Sequence, residues 1–185
     1  FGRWDQLLAE PLPEPSRRFT TGMAYYARGT AFAAKRRWAE ARAALDSVST
    51  ITNDYLEGDN RLALQIAEHA LAGEIAYRRG SYAEAVREFR GAVSIEDQMA
   101  YNEPPIWYYP VRHSLGKALL ALQRYAEAER VYREDLERFP ENGWSLFGLA
   151  QALKGQGKAS AAREVLTRFK FAWIDADVEL TASRF

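Results

Sequence analysis

The sequence predicts an all-α protein, a solenoid of helical hairpins, from its composition, its charge spacing and its internal repeats. Alanine is abundant and mostly stands beside Leu, Arg and Glu, whose side chains lose little rotamer freedom in a helix. Glu129 precedes Arg133 by four residues, and Glu164 precedes Arg168 in the same way. Such pairs stabilise one face of a helix. No strand-like alternation bounded by turn dipeptides is present, so the repeated segments are predicted to be helical.

Four segments of the chain resemble one another, and each has an alanine at the same place early in its predicted second helix. These alanines are Ala41, Ala85, Ala128 and Ala162, with spacings of 44, 43 and 34 residues. The last spacing equals the period of about 34 residues of a known class of two-helix repeat. The first two spacings exceed that period by about ten and nine residues. We therefore predict four repeats over residues 19–168, with insertions near 56–65 and 100–108.

The third repeat carries the fullest pattern of apolar and small residues. Its key positions are Leu115, Gly116, Leu119, Tyr125, Ala128, Tyr132 and Pro140. Gly116 and Ala128 are small where the two helices of a hairpin are expected to cross at close range. Pro140 is expected to end the second helix, because proline cannot continue one. Gly80 and Gly157 are predicted to form the hairpin bends of the second and fourth repeats.

The two ends of the chain differ from the repeats. Residues 1–18 are predicted to be the remnant of an upstream helix followed by a Pro-rich connector, and we expect a longer parent protein with another repeat upstream. Residues 169–185 are predicted to form a C-terminal capping helix that covers the last hairpin. The residues expected on its apolar face are Phe169, Ala172, Trp173, Ala176 and Leu180.

The four segments together resemble tetratricopeptide-repeat proteins over roughly 150 residues. The resemblance implies a right-handed α-solenoid in which the first helix of each hairpin lines a concave face. The stretch 101–110, with Glu141–Trp144 and Ala172–Asp177, is similar to the C-terminal part of a group of larger, mostly bacterial repeat proteins. That second resemblance implies a fold and a longer parent, and it implies no reaction.

Composition argues against several classes of function. The formal net charge is zero, so no overall basic excess is available to replace phosphate counterions, and we predict no nucleic-acid binding. The absence of cysteine excludes disulfides and thiolate chemistry. No apolar run approaches the length of about 20 residues that a membrane span needs, so we predict no membrane insertion.

No constellation of residues points to catalysis, a metal or a cofactor. The two histidines, His69 and His113, lack the spacing of paired metal ligands. The stretch Gly155–Lys158 resembles part of a phosphate loop but bends between two predicted helices without a preceding strand. We therefore predict no catalytic, cofactor-binding or metal-binding residue, and a chain that is not an enzyme.

The remaining candidate site is the predicted concave face, where aromatic side chains mix with a few charges. Such a surface suits a peptide, because aromatics offer a large contact area at low entropic cost. The predicted peptide-binding residues of this face are Tyr26, Thr30, Glu74, Tyr77, His113, Lys117, Trp144, Phe147 and Gln151. For Tyr77 and Phe147, packing against a neighbouring hairpin is an equal alternative. Some tetratricopeptide proteins grip a terminal carboxylate with Lys and Asn; here only Lys117 matches such a position, so we do not predict that clamp.

The second insertion, residues 101–109, contributes two further candidates, Trp107 and Tyr108. Two interpretations are open. Its aromatic side chains fill a gap between the second and third repeats, or the loop overhangs the groove and contacts a ligand, as ordered loops on rigid scaffolds often do.

These observations favour a protein–protein interaction or scaffolding module that binds a peptide segment in a concave helical groove. The alternative is a helical accessory domain of a larger enzyme whose catalytic part lies upstream. The full parent sequence would distinguish them, since a catalytic motif upstream would favour the alternative.

Overall fold

The computed structural model describes residues 2–54, 57–100 and 102–184, and all regular secondary structure in these ranges is α-helical. The helices are α1 (Trp4–Ala9), α2 (Arg18–Ala34), α3 (Trp38–Asp54), α4 (Gly58–Arg78), α5 (Tyr82–Glu96), α6 (Arg112–Ala121), α7 (Tyr125–Arg138), α8 (Gly143–Gly155) and α9 (Ala159–Ala172). The predicted all-α fold class is confirmed. None of these helices is long and apolar enough to cross a membrane.

The helices form two compact units, residues 1–111 and 112–185. In unit 1, α2 pairs with α3 and α4 pairs with α5, while α2 also packs against α4 and α1. In unit 2, α6 pairs with α7 and α8 pairs with α9, while α8 also packs against α6 and α7. Each unit therefore holds two of the four predicted helical hairpins.

Each hairpin bend places one residue in the left-handed region of the backbone. Gly80 and Gly157 have φ values of 83° and 75°, which confirms their predicted place in the bends. Arg36 and Gln123 take the equivalent places in the first and third hairpins with φ of 58°. A side chain disfavours this conformation by about 1–2 kcal/mol, so the packing of those two hairpins must hold the bend.

Close helix crossings lie where the repeat pattern placed small residues. A Cβ atom on Gly116 would lie 2.3 Å from Cζ of Tyr132, and one on Gly73 would lie 2.6 Å from Cε1 of Phe89. Neither crossing has room for a side chain. The prediction that Gly116 faces its partner helix at close range is confirmed.

The two insertions differ in structure. Most of the first extends a helix, since α4 begins at Gly58 and already buries Ala63 and Leu64. In the second, the described residues between Glu96 and Arg112 form no helix. A surplus of residues between repeats can therefore lengthen a first helix or form a separate connecting segment.

The predicted C-terminal capping helix is wrong. Phe169 and Ala172 belong to α9 itself, and residues 173–184 contain no helix. The indole Nε1 of Trp173 donates to the carbonyl oxygen of Val178 at 2.8 Å, which turns the chain away from the helix axis. Acidic residues at 175 and 177 also oppose continuation, because negative charge is unfavourable at a helix C-terminus.

Candidate functional site: the first-helix faces

Each unit has a surface formed by the first helices of its two hairpins, which we call its first-helix face. In unit 1 this face lies on α2 and α4 and carries Tyr26, Thr30, Glu74 and Tyr77. In unit 2 it lies on α6 and α8 and carries His113, Lys117, Phe147 and Gln151.

The second insertion packs onto the first-helix face of unit 1. The indole ring of Trp107 lies 5.4 Å from the ring of Tyr26, measured between centroids. The hydroxyl groups of Tyr26 and Tyr109 lie 3.1 Å apart, within hydrogen-bond distance. Asn102 Nδ2 donates to a carboxylate oxygen of Asp59, near the start of α4, at 3.4 Å. The insertion therefore covers the part of this face near Tyr26.

This packing decides between the two interpretations of the insertion for most of its aromatic residues. Trp107 is only 5% exposed, so it fills space rather than overhanging a groove. It does so against Tyr26 of the first repeat. Tyr26 is buried beneath it, so neither side chain can contact a peptide directly. Tyr108, in contrast, is 61% exposed and remains a candidate for contact.

The first-helix face of unit 1 is partly open further along its helices. Thr30 is half-buried, and its hydroxyl donates to the carbonyl oxygen of Tyr26 at 3.0 Å within α2. Glu74 forms an ion pair with Arg78 one turn further along α4. The half-buried ring of Tyr77 lies 5.2 Å from that of Tyr82. Burial, followed by the nearby Tyr82 and Glu74, raises the pKa of the Tyr77 hydroxyl, which therefore stays protonated and able to donate.

In unit 2, the side chain of His113 turns into a buried polar cluster. Its Nε2 lies 3.1 Å from Oδ2 of Asp135, and the Ser145 hydroxyl donates to the same oxygen at 2.6 Å. His113 is 3% exposed and Asp135 is fully buried. The prediction that His113 contacts a peptide is wrong for its side chain, because the carboxyl group of Asp135 inside the unit holds the ring there.

The three residue types of this cluster are those of a catalytic triad, but their order is different. In a hydrolytic triad the histidine stands between the serine and the acid, so that it can take the serine proton. Here Asp135 stands between Ser145 and His113. His113 therefore contacts the acid and not the serine, and the burial of all three residues keeps a substrate from reaching them.

Two other predicted residues of unit 2 belong to an aromatic cluster at the start of α8. The Asn142 side chain caps α8 by accepting from the backbone N–H groups of Trp144 and Ser145. The rings of Trp144 and Trp173 meet edge to face at 5.4 Å, and Phe147 lies 5.4 Å from Phe169. Trp144 and Phe147 are half-buried by this packing, and Lys117 and Gln151 are half-buried on the same first-helix face.

The repeat pattern missed the acid at the centre of the buried cluster. Asp135 follows Ala128 by seven residues and Tyr132 by three, which places all three on the apolar stripe of α7. An acid on such a stripe signals a buried partner. Tyr109 and Ser183, which also contact the first-helix faces, carry no comparable signal in the sequence.

The side chains suited to metal binding do not gather. Among the described residues, no group of three or more His, Cys, Asp or Glu side chains could hold a metal ion. The stretch Gly155–Lys158 forms the end of α8 and the bend that follows it. It lacks the preceding strand that a phosphate loop requires.

Comparison with known proteins agrees with this architecture. The sequence profile of the tetratricopeptide repeat family matches residues 119–169, from α6 into α9. A search of curated proteins found no match to the sequence.

Two crystal structures of a candidate kinesin light chain from Podosopora anserina, described by its nearly identical tetratricopeptide-like repeats, share the fold. One has a TM-score of 0.62 and 21% identity, covering 83% of this chain and 75% of that one. The other has a TM-score of 0.61 and 20% identity, covering 95% of this chain and 83% of that one. The tetratricopeptide profile therefore matches the last two hairpins, and the two crystal structures share the helical-repeat fold of the chain.

Proposed function

We propose that this chain is a protein-interaction module whose first-helix faces bind extended segments of other proteins. Tetratricopeptide repeats generally mediate protein–protein interaction, and stacked repeats supply long surfaces suited to that task. The observation that carries the proposal is the open part of the unit 1 face. Tyr77 and Thr30 are partly exposed there, beyond the part that the insertion covers, and the side chain of Glu74 between them is 12% exposed.

The open part of the unit 1 face has the chemistry that a peptide needs. Tyr77 offers an apolar ring and a protonated hydroxyl, and the ion pair of Glu74 and Arg78 offers both signs of charge. On α4, Ala70 is the residue equivalent to the covered Tyr26 of α2. Tyr77 follows Ala70 by seven residues, so it lies about 10 Å further along α4. That length accommodates about three residues of an extended peptide.

We also propose that the chain has no catalytic activity of its own. The support for this comes from the buried cluster, in which Asp135 and not His113 stands between the other two residues. A substrate-dependent turnover by the purified chain, abolished by Ser145→Ala, would contradict this.

A random-peptide phage library panned on the purified chain tests the binding proposal. We expect enriched sequences whose binding weakens at least tenfold in Tyr77→Ala, since truncating a central aromatic anchor costs about 2 kcal/mol. Tyr77→Phe is the matched control: it keeps the ring and should keep most of the affinity. If the enriched peptides bind Tyr77→Ala as tightly as the unmodified chain but no longer bind Tyr108→Ala, the binding site lies on the insertion. A library that yields no specific binder would contradict the proposal.

A further inference from the structure

The tail that follows α9 leaves the helix and returns to unit 2 as an irregular segment. Within residues 173–184, Leu180 and Ser183 are the buried residues, with 7% and 1% exposure. Residues 174–179 and 181 are exposed. The tail therefore has two buried anchors three residues apart.

The position of the second anchor follows from Tyr132. This side chain starts on α7, and its ring tip lies between α6 and α8. A Cβ on Gly116 of α6 would lie 2.3 Å from Cζ of Tyr132, and one on Gly148 of α8 would lie 2.2 Å from the same atom. The ring thus occupies the gap that the two glycines leave. Its hydroxyl points away from α7, toward the first-helix face of unit 2.

Ser183 meets the Tyr132 hydroxyl at the end of this gap. The two side-chain oxygens are 2.6 Å apart, and the Ser183 hydroxyl donates to the carbonyl oxygen of His113, in the first turn of α6, at 3.2 Å. The Ser183 hydroxyl therefore accepts a hydrogen bond from the Tyr132 hydroxyl of α7 and donates one to the backbone of α6. A side chain larger than serine or threonine would not fit at 1% exposure.

We infer that the tail is a built-in ligand, and that the first-helix face of unit 2 binds extended peptides with an aliphatic residue followed three positions later by serine or threonine. The inference rests on the proposed peptide-binding function and names the ligand class for one face. Acidic residues at 175, 177 and 179 precede the Ser183 anchor, while Lys117 and Lys154 belong to the face. A partner peptide is therefore expected to be acidic on the N-terminal side of its hydroxyl residue.

A segment whose residues are mostly exposed opens more readily than the helices it covers. Residues with few buried contacts open locally at a small fraction of the free energy needed to unfold the whole unit. A partner with the same pattern would take the place of the tail. Because it can bind only while the tail is detached, its apparent affinity is its intrinsic affinity multiplied by the fraction of time that the tail is detached.

The test uses a fluorescein-labelled peptide with the sequence of Asp175–Arg184, titrated against the full chain and followed by fluorescence anisotropy. We expect at least tenfold tighter binding to the Leu180→Ala/Ser183→Ala double variant than to the unmodified chain, because the variant's own tail no longer competes. Phe171→Ala/Ile174→Ala is the matched control: both side chains are 73% exposed, so this variant should behave as the unmodified chain does. A labelled peptide carrying the Leu180→Ala change should not bind either protein.

If the double variant loses helical signal in circular dichroism, the single variant Ser183→Ala replaces it. That change removes only the tail's own hydroxyl and leaves Tyr132 and the carbonyl of His113 available to the peptide, so peptide binding should again increase. Equal binding to the unmodified and altered chains, or no binding to any, would overturn the inference. Peptide binding here together with an unproductive library screen on the unmodified chain would refute only the proposed site of unit 1.

Discussion

The two first-helix faces are both covered by irregular segments of the same chain, but different chemistry holds each segment. On unit 1, the insertion is held by aromatic packing: Trp107 is buried against Tyr26, and Tyr109 reaches the Tyr26 hydroxyl. On unit 2, the tail is held by Leu180 and by the hydroxyl of Ser183. The large buried aromatic anchor makes the insertion part of the core of unit 1, whereas the small hydroxyl anchor lets the tail of unit 2 detach and rebind.

The largest effect should come from the anchor of the insertion. Trp107→Ala is expected to lower the free energy of unfolding by about 3–5 kcal/mol in urea titrations, because it removes a buried aromatic ring. Leu180→Ala should cost less than half as much, since the tail can detach while the rest of unit 2 stays folded. Tyr108→Ala, at an exposed position, should stay within about 0.5 kcal/mol of the unmodified chain. Equal losses in the free energy of unfolding for Trp107→Ala and Leu180→Ala would show that the insertion and the tail are held equally strongly.

A second experiment tests the gap that carries the tail's hydroxyl partner. Gly148→Ala would place a Cβ 2.2 Å from Cζ of Tyr132, so we expect a loss on the order of 1–3 kcal/mol in the same titration. In a Tyr132→Ala background the same change should cost little, because the clashing ring is gone. Strictly additive losses in this double-mutant cycle would show that the glycine and the tyrosine do not share the gap.

The fold followed from the sequence because repeated small and apolar positions record helix crossings directly. Gly116 and Ala128 were assigned correctly since any larger residue would separate α6 and α7. The predicted capping helix is wrong because apolar spacing alone does not show that α9 ends at Ala172, and Ala176 on the predicted apolar face is exposed.

The side chains of the candidate site were harder to predict than the fold. First-helix positions were read from the repeat register, but the register does not say which segment covers them. Tyr26 and His113 occupy equivalent positions; one is buried by an insertion, and the other turns toward Asp135. Both outcomes depend on residues distant in sequence, so local spacing could not reveal them.

A smaller effect is expected from the Tyr132 hydroxyl alone. Tyr132→Phe should lower the stability of unit 2 by about 1 kcal/mol, the usual net value of one hydrogen bond. In hydrogen-exchange mass spectrometry, it should also speed exchange in residues 178–184 while α9 stays protected. Unchanged exchange in the tail would mean that Leu180 alone holds it.

The smallest effect should appear in acid. Glu129 on α7 accepts from Lys158 and Gln156, each at 2.7 Å, and from Arg133. The Lys158 hydrogen bond above all, with those of Arg133 and Gln156, lowers the pKa of Glu129 from its ordinary value of 4.5 to about 2. This stabilising contribution is complete above about pH 4.5 and is lost as the pH falls toward 2.

Urea titrations of unmodified chain and Glu129→Gln at pH 6 and pH 3 check this. The unmodified chain should lose more stability between the two pH values than the variant does. Glu40→Gln in unit 1 is the control: a hydrogen bond from Arg37 lowers the pKa of Glu40 too, but the pair is exposed and should matter little. An identical pH response in Glu129→Gln and the unmodified chain would argue against the contacts of Glu129.

The Tyr132 ring also has a mechanical consequence for unit 2. It stands between α6 and α8 where each helix offers its one residue without a side chain at that level. Sliding either helix by a single residue would bring Leu115 or Lys117, or Phe147 or Leu149, against the ring. Intermediate positions are sterically closed, so the two helices have one permitted register. A pulling force on this unit should therefore be borne without gradual shear until the ring leaves its gap in a single step.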